Sequence, residues 1–244
     1  MTAIKTLNLT KKYRDTVAVD NLNLEIKEGE LFSLLGVNGA GKTTTVKMLS
    51  TLTRPTSGDA WVCGFSINGQ DEKIREIADI SMQETAIARK LTVEENIHFY
   101  ARLSGLSAQE TRKTAKSLYN AFGLDRVAGK QASKLSGGWQ RKLSIALSLV
   151  SRPKVLFLDE PTLGLDVIAR RELWKTIAEL KSEMTIILTT HYMEEAEALS
   201  DRIGIMKDGK LLFADTKEAL FTRTGKSSVE DAFIETVTGG EKNA

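Results

Sequence analysis

Leu31-Phe32-Ser33-Leu34-Leu35-Gly36-Val37-Asn38-Gly39-Ala40-Gly41-Lys42-Thr43 is the stretch on which the fold turns. From Gly36 it matches every fixed position of G-x-x-x-x-G-K-[ST], and the apolar run before it reads as a buried strand. Residues 43–52 follow with Val46, Leu49 and Leu52 at helical spacing, so the order is strand, glycine loop, helix. In that order the pattern carries a mechanism. Backbone N–H groups of the turn converge on one point, with the positive end of a helix behind them. A nucleoside polyphosphate is the natural occupant. The candidate contacts are Gly36, Asn38, Gly39, Ala40, Gly41, Lys42, Thr43 and Thr44. Lys42 is expected to reach the β- and γ-phosphates, and the Thr43 hydroxyl to ligate Mg²⁺.

The rest of the chain bounds what surrounds this loop. A length of 244 residues is enough for one large domain, or a core with a subdomain. Charged residues at 27% and hydrophobic ones at 41% are the profile of a globular protein. A net charge of +2 demands no anionic partner, and Lys11-Lys12-Tyr13-Arg14 is too short for a nucleic-acid arm, so no nucleic-acid partner is expected. The lone Cys63 excludes an internal disulfide, fits a reducing compartment and reads as packing. No window reaches the roughly 18 uninterrupted apolar residues of a membrane helix, and residues 1–9 lack the apolar core of a signal peptide. The expectation is a cytoplasmic chain whose membrane role, if it has one, comes through a partner.

Periodicity along the chain gives a mixed α/β arrangement. Residues 3–27 read as strands in rough alternation. From 88 to 152 the pattern becomes helical. Thr92-Val93-Glu94-Glu95 and Ser107-Ala108-Gln109-Glu110 have the form of capping boxes, and a third helix is expected after Gly138. Residues 155–158 and 185–188 are short apolar runs separated by a helix carrying Leu173, Trp174, Ile177 and Leu180, as in a parallel sheet covered by helices. Asp208-Gly209 reads as a hairpin turn, and residues 229–237 as an amphipathic helix ahead of a polar tail.

Two further clusters carry chemistry. The run 155–158 ends in Asp159-Glu160, which places both acids at the ligand-binding edge of an open α/β sheet. Asp159 suits a Mg²⁺ shell, leaving Glu160 to deprotonate or orient a water against the γ-phosphate. Leu135-Ser136-Gly137-Gly138 opens a helix with bare backbone donors and a hydroxyl, an anion site in its own right or a simple serine cap. A chain with a phosphate loop has no need of a second such site. Two copies would, each offering this helix end to the nucleotide held by the other.

These motifs, in this order, resemble the nucleotide-binding subunit of an ABC transporter over nearly the whole chain. The resemblance implies a P-loop NTPase core of the α/β class, a mostly parallel RecA-like sheet with helices, plus an N-terminal antiparallel β subdomain and an all-helical insert. It implies one ATP-binding domain over 1–244, with core and antiparallel parts at about 1–87 and 153–220, the helical part at about 88–152, and a C-terminal helix and tail at 221–244. It also assigns roles. Tyr13 is similar to the aromatic that stacks on adenine, and Gln83 to the glutamine that touches Mg²⁺ or its water. Ser136, Gly137 and Gly138 resemble the signature loop, Asp159 and Glu160 the metal and catalytic acids, Asp166 the segment crossing the dimer interface, and His191 the switch histidine at the γ-phosphate. ATP and Mg²⁺ are the implied cofactors. The implied partners are a membrane-spanning permease subunit and a second cassette, identical or paralogous, with the chain held peripherally at the inner face of the membrane.

The chain departs from the family pattern at Trp139, where a glutamine is usual, and at Leu147-Ser148 and Val167. None of these removes a phosphate, metal or acid ligand. Residues 41–45, 91–96, 164–174 and 230–233 resemble the ATPases that serve ABC-2-type exporters, which makes an exporter the expected setting. A DNA-repair ATPase of the same nucleotide fold is disfavoured, because the insert holds no sustained heptads and no cysteine pair. A single-cassette factor for cofactor assembly remains the alternative.

Overall fold

A computed structural model describes residues 1–239. The chain opens with three antiparallel strands, β1 (Thr2–Tyr13), β2 (Thr16–Leu22) and β3 (Glu25–Lys27), and enters β4 (Leu31–Leu35), which is buried at every position. After the glycine loop come α1 (Lys42–Leu49), β5 (Ser57–Val62), β6 (Phe65–Ser66), α2 (Asp71–Ile77) and β7 (Ala78–Ser81). Three helices follow: α3 (Val93–Leu103), α4 (Ala108–Phe122) and α5 (Gly137–Ser148). The chain then alternates through β8 (Val155–Asp159), α6 (Val167–Leu180), β9 (Thr185–Thr190) and α7 (Met193–Leu199). It closes with the hairpin of β10 (Arg202–Lys207) and β11 (Lys210–Asp215), then α8 (Lys217–Thr224) and α9 (Val229–Thr238).

Two sheets result. β2, β1, β5 and β6 lie side by side with β3 also on β1, all antiparallel. The second sheet has the order β11-β10-β4-β9-β8-β7, parallel from β10 to β7. β8 and β9 are buried at every position, with their apolar side chains divided between the clusters on the two faces of the sheet. Register aligns the carboxyl ends: Leu35 lies opposite Thr190, Asp159 opposite Thr189, and Ser81 opposite Leu158. Every segment leaving those four strands therefore emerges along one edge.

The insert is helical as expected. Both capping boxes form: the Thr92 and Ser107 hydroxyls accept from the Glu95 and Glu110 amides, and each glutamate accepts in return from the cap amide. Its core is shared, however. Val93, Ile97, Leu118 and Phe122 belong to one apolar cluster with Leu156, Leu158, Ile186 and Leu188 of the parallel sheet, and α5 packs on both. The expected boundary at 152 thus falls after a helix common to the two parts.

Other expectations need correction. The first helix stops at Leu49, because Thr51 turns left-handed (φ 61), and Leu52 is 57% exposed instead of facing the core. The rough alternation of the N-terminal strands has a cause in β1. A left-handed Asn8 (φ 48) accompanies register shifts there, and Leu7 and Val17 point outward. α2, β6, β7, α7 and α8 are elements that the sequence reading did not separate. The polar tail at 240–244 lies outside the described residues. Among the described residues no helix is long and apolar enough to cross a membrane.

Candidate active site

The glycine loop joins β4 to α1 along this shared edge. Gly41 sits at φ 103, and a Cβ there would lie 2.3 Å from the Ala18 carbonyl oxygen, so only glycine fits this close approach. The loop floors a cleft of about 520 Å³ lined by Tyr13, Asn38, Gly39, Ala40, Gly41, Lys42, Thr43, Thr44, Gln83 and Glu160, with Val17, Ala18 and Asp208 completing the wall. The expected phosphate contacts other than Gly36 thus share one cavity with Tyr13, Gln83 and Glu160. Tyr13 is 46% exposed, with a ring face available to a planar base and the Lys11 ammonium 5.0 Å from its centroid.

Lys42 is buried and its ammonium is already held. Nζ donates to the Gly36 carbonyl at 2.8 Å and the Val37 carbonyl at 3.2 Å, and lies 3.4 Å from Glu160 Oε1. It is a cation poised over the loop, with only neutral carbonyls and one carboxylate to trade for phosphate oxygens.

Asp159 lies directly beneath, 1% exposed. Its Oδ1 accepts from the Thr43 hydroxyl at 2.9 Å and the Thr189 hydroxyl at 2.5 Å, while Oδ2 is buried with no partner. An orphaned carboxylate oxygen costs free energy unless something satisfies it. A hard cation held by Asp159 and Thr43 would do so, and the all-oxygen donor set suits Mg²⁺. The residues present fit that ion.

Glu160 follows with φ 48, a left-handed backbone uncommon for a residue with a side chain. Its amide donates to the Thr189 carbonyl, which fixes the turn against β9. The carboxylate is 8% exposed and bridges Lys42 on one oxygen and His191 Nδ1, at 2.5 Å, on the other. His191, just past β9, also stacks on Tyr192 with centroids 4.1 Å apart. Lysine, glutamate and histidine thus form one chain of contacts along the strand ends.

Ser136, Gly137, Gly138 and Asp166 are not brought to this cleft. Ser136 occupies the cap position of α5, yet its hydroxyl makes no capping bond, so the simple-cap reading fails. With Gly138 it lines a separate groove of about 450 Å³ that includes Phe122, Trp139 and Lys142. Trp139 leans toward Gly123 at the end of α4, with the Lys142 ammonium 4.9 Å from its ring. Asp166 caps α6, accepting from the Ile168 and Ala169 amides at 2.9 Å. Beside it Val167 and Ile168 are 63% and 73% exposed.

Two functional neighbours escaped the sequence reading. Thr189 orients Asp159, but as a threonine just past the apolar run 185–188 it carries no motif. Arg141, one and a half turns into α5, is 4% exposed and donates only to backbone carbonyls. Burial pushes its guanidinium down to about 10, opposed by the nearby Asp159, Glu195 and Glu160, so it stays charged at neutral pH. Below the histidine, Glu195 is fully buried and accepts from Thr162 and Trp174; burial raises its carboxyl above the ordinary range.

Comparison with known proteins agrees with this geometry. A family model described as ABC transporter matches residues 19–163, more than half of the chain. The chain is 45% identical over 212 residues to the phospholipid-transporting ATPase ABCA3 of Homo sapiens, covering 85% of this chain and 12% of that protein. It is 38% identical over 247 residues to the probable multidrug ABC transporter ATP-binding protein YbhF of Escherichia coli (strain K12), covering 99% of this chain and 43% of that one. The chain therefore spans less than half the length of either relative. A solved structure described as the dimeric post-hydrolysis state of the ATP-binding cassette MJ0796, bound to ADP and Pi, superposes with a TM-score of 0.79 at 28% identity over 87% of this chain and 98% of that one.

Proposed function

The chain belongs to the ABC transporter family as an ATPase cassette, and we propose that it drives a membrane exporter by closing on ATP with a second cassette. The observation that carries the reading is the orphaned Asp159 oxygen beneath Thr43, next to a Glu160 held between Lys42 and His191. Tyr13 stacks on the base, and the amides of Asn38 to Thr44 with Lys42 hold the polyphosphate. Mg²⁺ held by Thr43 and Asp159, with Gln83 on its water, would neutralise charge between the β- and γ-phosphates. Glu160 takes the proton of the attacking water, and His191, braced by Glu160 and Tyr192, keeps that carboxylate aimed.

The second cassette completes the site. Ser136 and Gly138 carry an uncommitted hydroxyl and a helix N-terminus, the chemistry of an anion site, yet they lie in another groove of their own chain. The exposed Val167 and Ile168 beside Asp166 offer an apolar surface to the facing copy. The dimeric ADP-bound cassette with the same fold supports this arrangement. Closure follows from tighter binding of ATP than ADP in the closed pair, since a ligand that binds both states equally shifts nothing. The two cassettes are identical or paralogous. The permease they serve holds them at the inner face of the membrane, and the helical insert passes motion to it. Export is supported by the exporter-like segments and by similarity to YbhF, a probable multidrug cassette.

The direct test is hydrolysis by the purified chain with Mg²⁺ and ATP, unmodified and as Glu160→Gln. The expected result is a fall of about 10²- to 10⁴-fold with ATP binding retained. Undiminished turnover in Glu160→Gln would remove Glu160 from the mechanism.

A further inference from the structure

Arg141 makes four hydrogen bonds, all to backbone carbonyls and none to a carboxylate. Nε donates to Pro161 at 2.7 Å and Nη2 to Asp159 at 2.8 Å; Nη1 donates to Met82 at 2.5 Å and Gln83 at 3.1 Å. These acceptors come from two segments far apart in the sequence. Met82 and Gln83 follow the edge strand β7, whereas Asp159 and Pro161 stand immediately before and after Glu160. The guanidinium therefore clamps both shoulders of the residue whose backbone is left-handed, and the same planar group anchors the segment that carries Gln83. A lysine cannot reproduce this, because its three donors radiate from one point and a fork is needed to reach two segments at once.

Arg141 also belongs to α5, whose first turn is the Ser136–Gly138 loop. The helix is a rigid lever between that loop and the guanidinium, and it packs on the sheet beside β7. A contact that shifts the helix N-terminus moves the clamp, and the clamp moves Gln83 and Glu160 together.

Resting on the reading of this cleft as an ATPase site, we infer that Arg141 is a positioning residue that couples the orientation of α5 to the placement of Glu160 and Gln83. It touches neither nucleotide nor metal. Its hydrogen bonds go to none of Lys42, Tyr13 and the glycine loop, the groups proposed to grip ATP. Its loss consequently separates binding from turnover.

The test uses the full chain carrying Arg141→Lys, with Arg141→Gln as the neutral counterpart, each checked by thermal melting. The expected result for a folded Lys variant is kcat lowered by tenfold or more, up to about 10²-fold for an ångström of misplacement, while KM for ATP stays within about twofold. The double variant Arg141→Lys with Gln83→Ala should fall short of the product of the single effects, since both act through one segment. A folded Arg141→Lys with unchanged kcat overturns the inference, and so do effects that multiply. If neither Arg141 variant stays folded at assay temperature, hydrogen exchange on the unmodified protein decides. On adding Mg²⁺ and ATP, amides at 82–84 and in the first turns of α5 should slow together; slowing at 82–84 with α5 unaffected overturns it. An unmodified chain that fails to hydrolyse ATP would instead sink the reading of the cleft, which keeps the two failures apart.

Discussion

Glu160 is the residue where local strain and the proposed chemistry coincide. A left-handed glutamate costs on the order of 1–3 kcal/mol, and here β9 amide contacts, Lys42, His191 and the flanking clamp all hold it in place. Its neighbour Asp159 makes a separate prediction. With one oxygen shared by Thr43 and Thr189 and the other unpartnered, Asp159→Asn should raise the Mg²⁺ concentration for half-maximal hydrolysis by about 10- to 100-fold. Titration of activity with Mg²⁺ at saturating ATP checks this; an unshifted midpoint would mean the ion is held elsewhere. Lys42→Ala should abolish nucleotide binding measured by a fluorescent ATP analogue, because a buried cation facing phosphate has no substitute in the cleft. At this scale most of the site was legible, since the loop, the paired acids and the histidine each follow an apolar strand. Arg141 was not, because an arginine near the start of a polar-looking helix reads as solvent-facing until the carbonyls it meets are known.

Among the elements, those with strong local signals formed as read. α3 and α4 begin at their boxes, and α4 stops at Gly123 with φ 65. Ser107→Ala removes a hydroxyl that accepts from the Glu110 amide and should cost about 1 kcal/mol, roughly 2–4 °C in Tm for a chain of this size. Glu110 adds a pH dependence of known sign. Its hydrogen bonds from the Ser107 hydroxyl and amide hold its carboxyl below the ordinary glutamate range. A depressed carboxyl stabilises the fold fully above its unfolded pKa and loses that contribution as pH falls through the folded one. The melting difference between the unmodified chain and Glu110→Ala should therefore shrink on acidification below about 4.5 and stay constant above it; growth on acidification would contradict the box. The missed elements share a physical reason. α2 buries only Ile74 and β7 only Ser81, so neither shows an apolar period. α7 hides because its buried face includes Glu195, one oxygen of which accepts from Thr162 and Trp174 of distant segments. Tertiary partners decide such elements, and a single sequence does not display them.

On the scale of the molecule, the carboxyl ends of β7, β8, β9 and β4 gather the proposed half of a nucleotide site, while the start of α5, its proposed complement, lies at a different groove. The separation is what a pair of facing cassettes needs, and it gives the apolar Val167 and Ile168 a role that a lone chain does not. The most direct measurement is the mass in solution of Glu160→Gln, expected to bind ATP but turn it over slowly, by light scattering with and without Mg²⁺ and ATP. The account predicts one 26.9 kDa chain without nucleotide and twice that mass with it, reverting to one chain when Ser136→Arg is added to block the facing loop. A Glu160→Gln chain that binds ATP with Mg²⁺ and remains a single chain at micromolar concentration would contradict it.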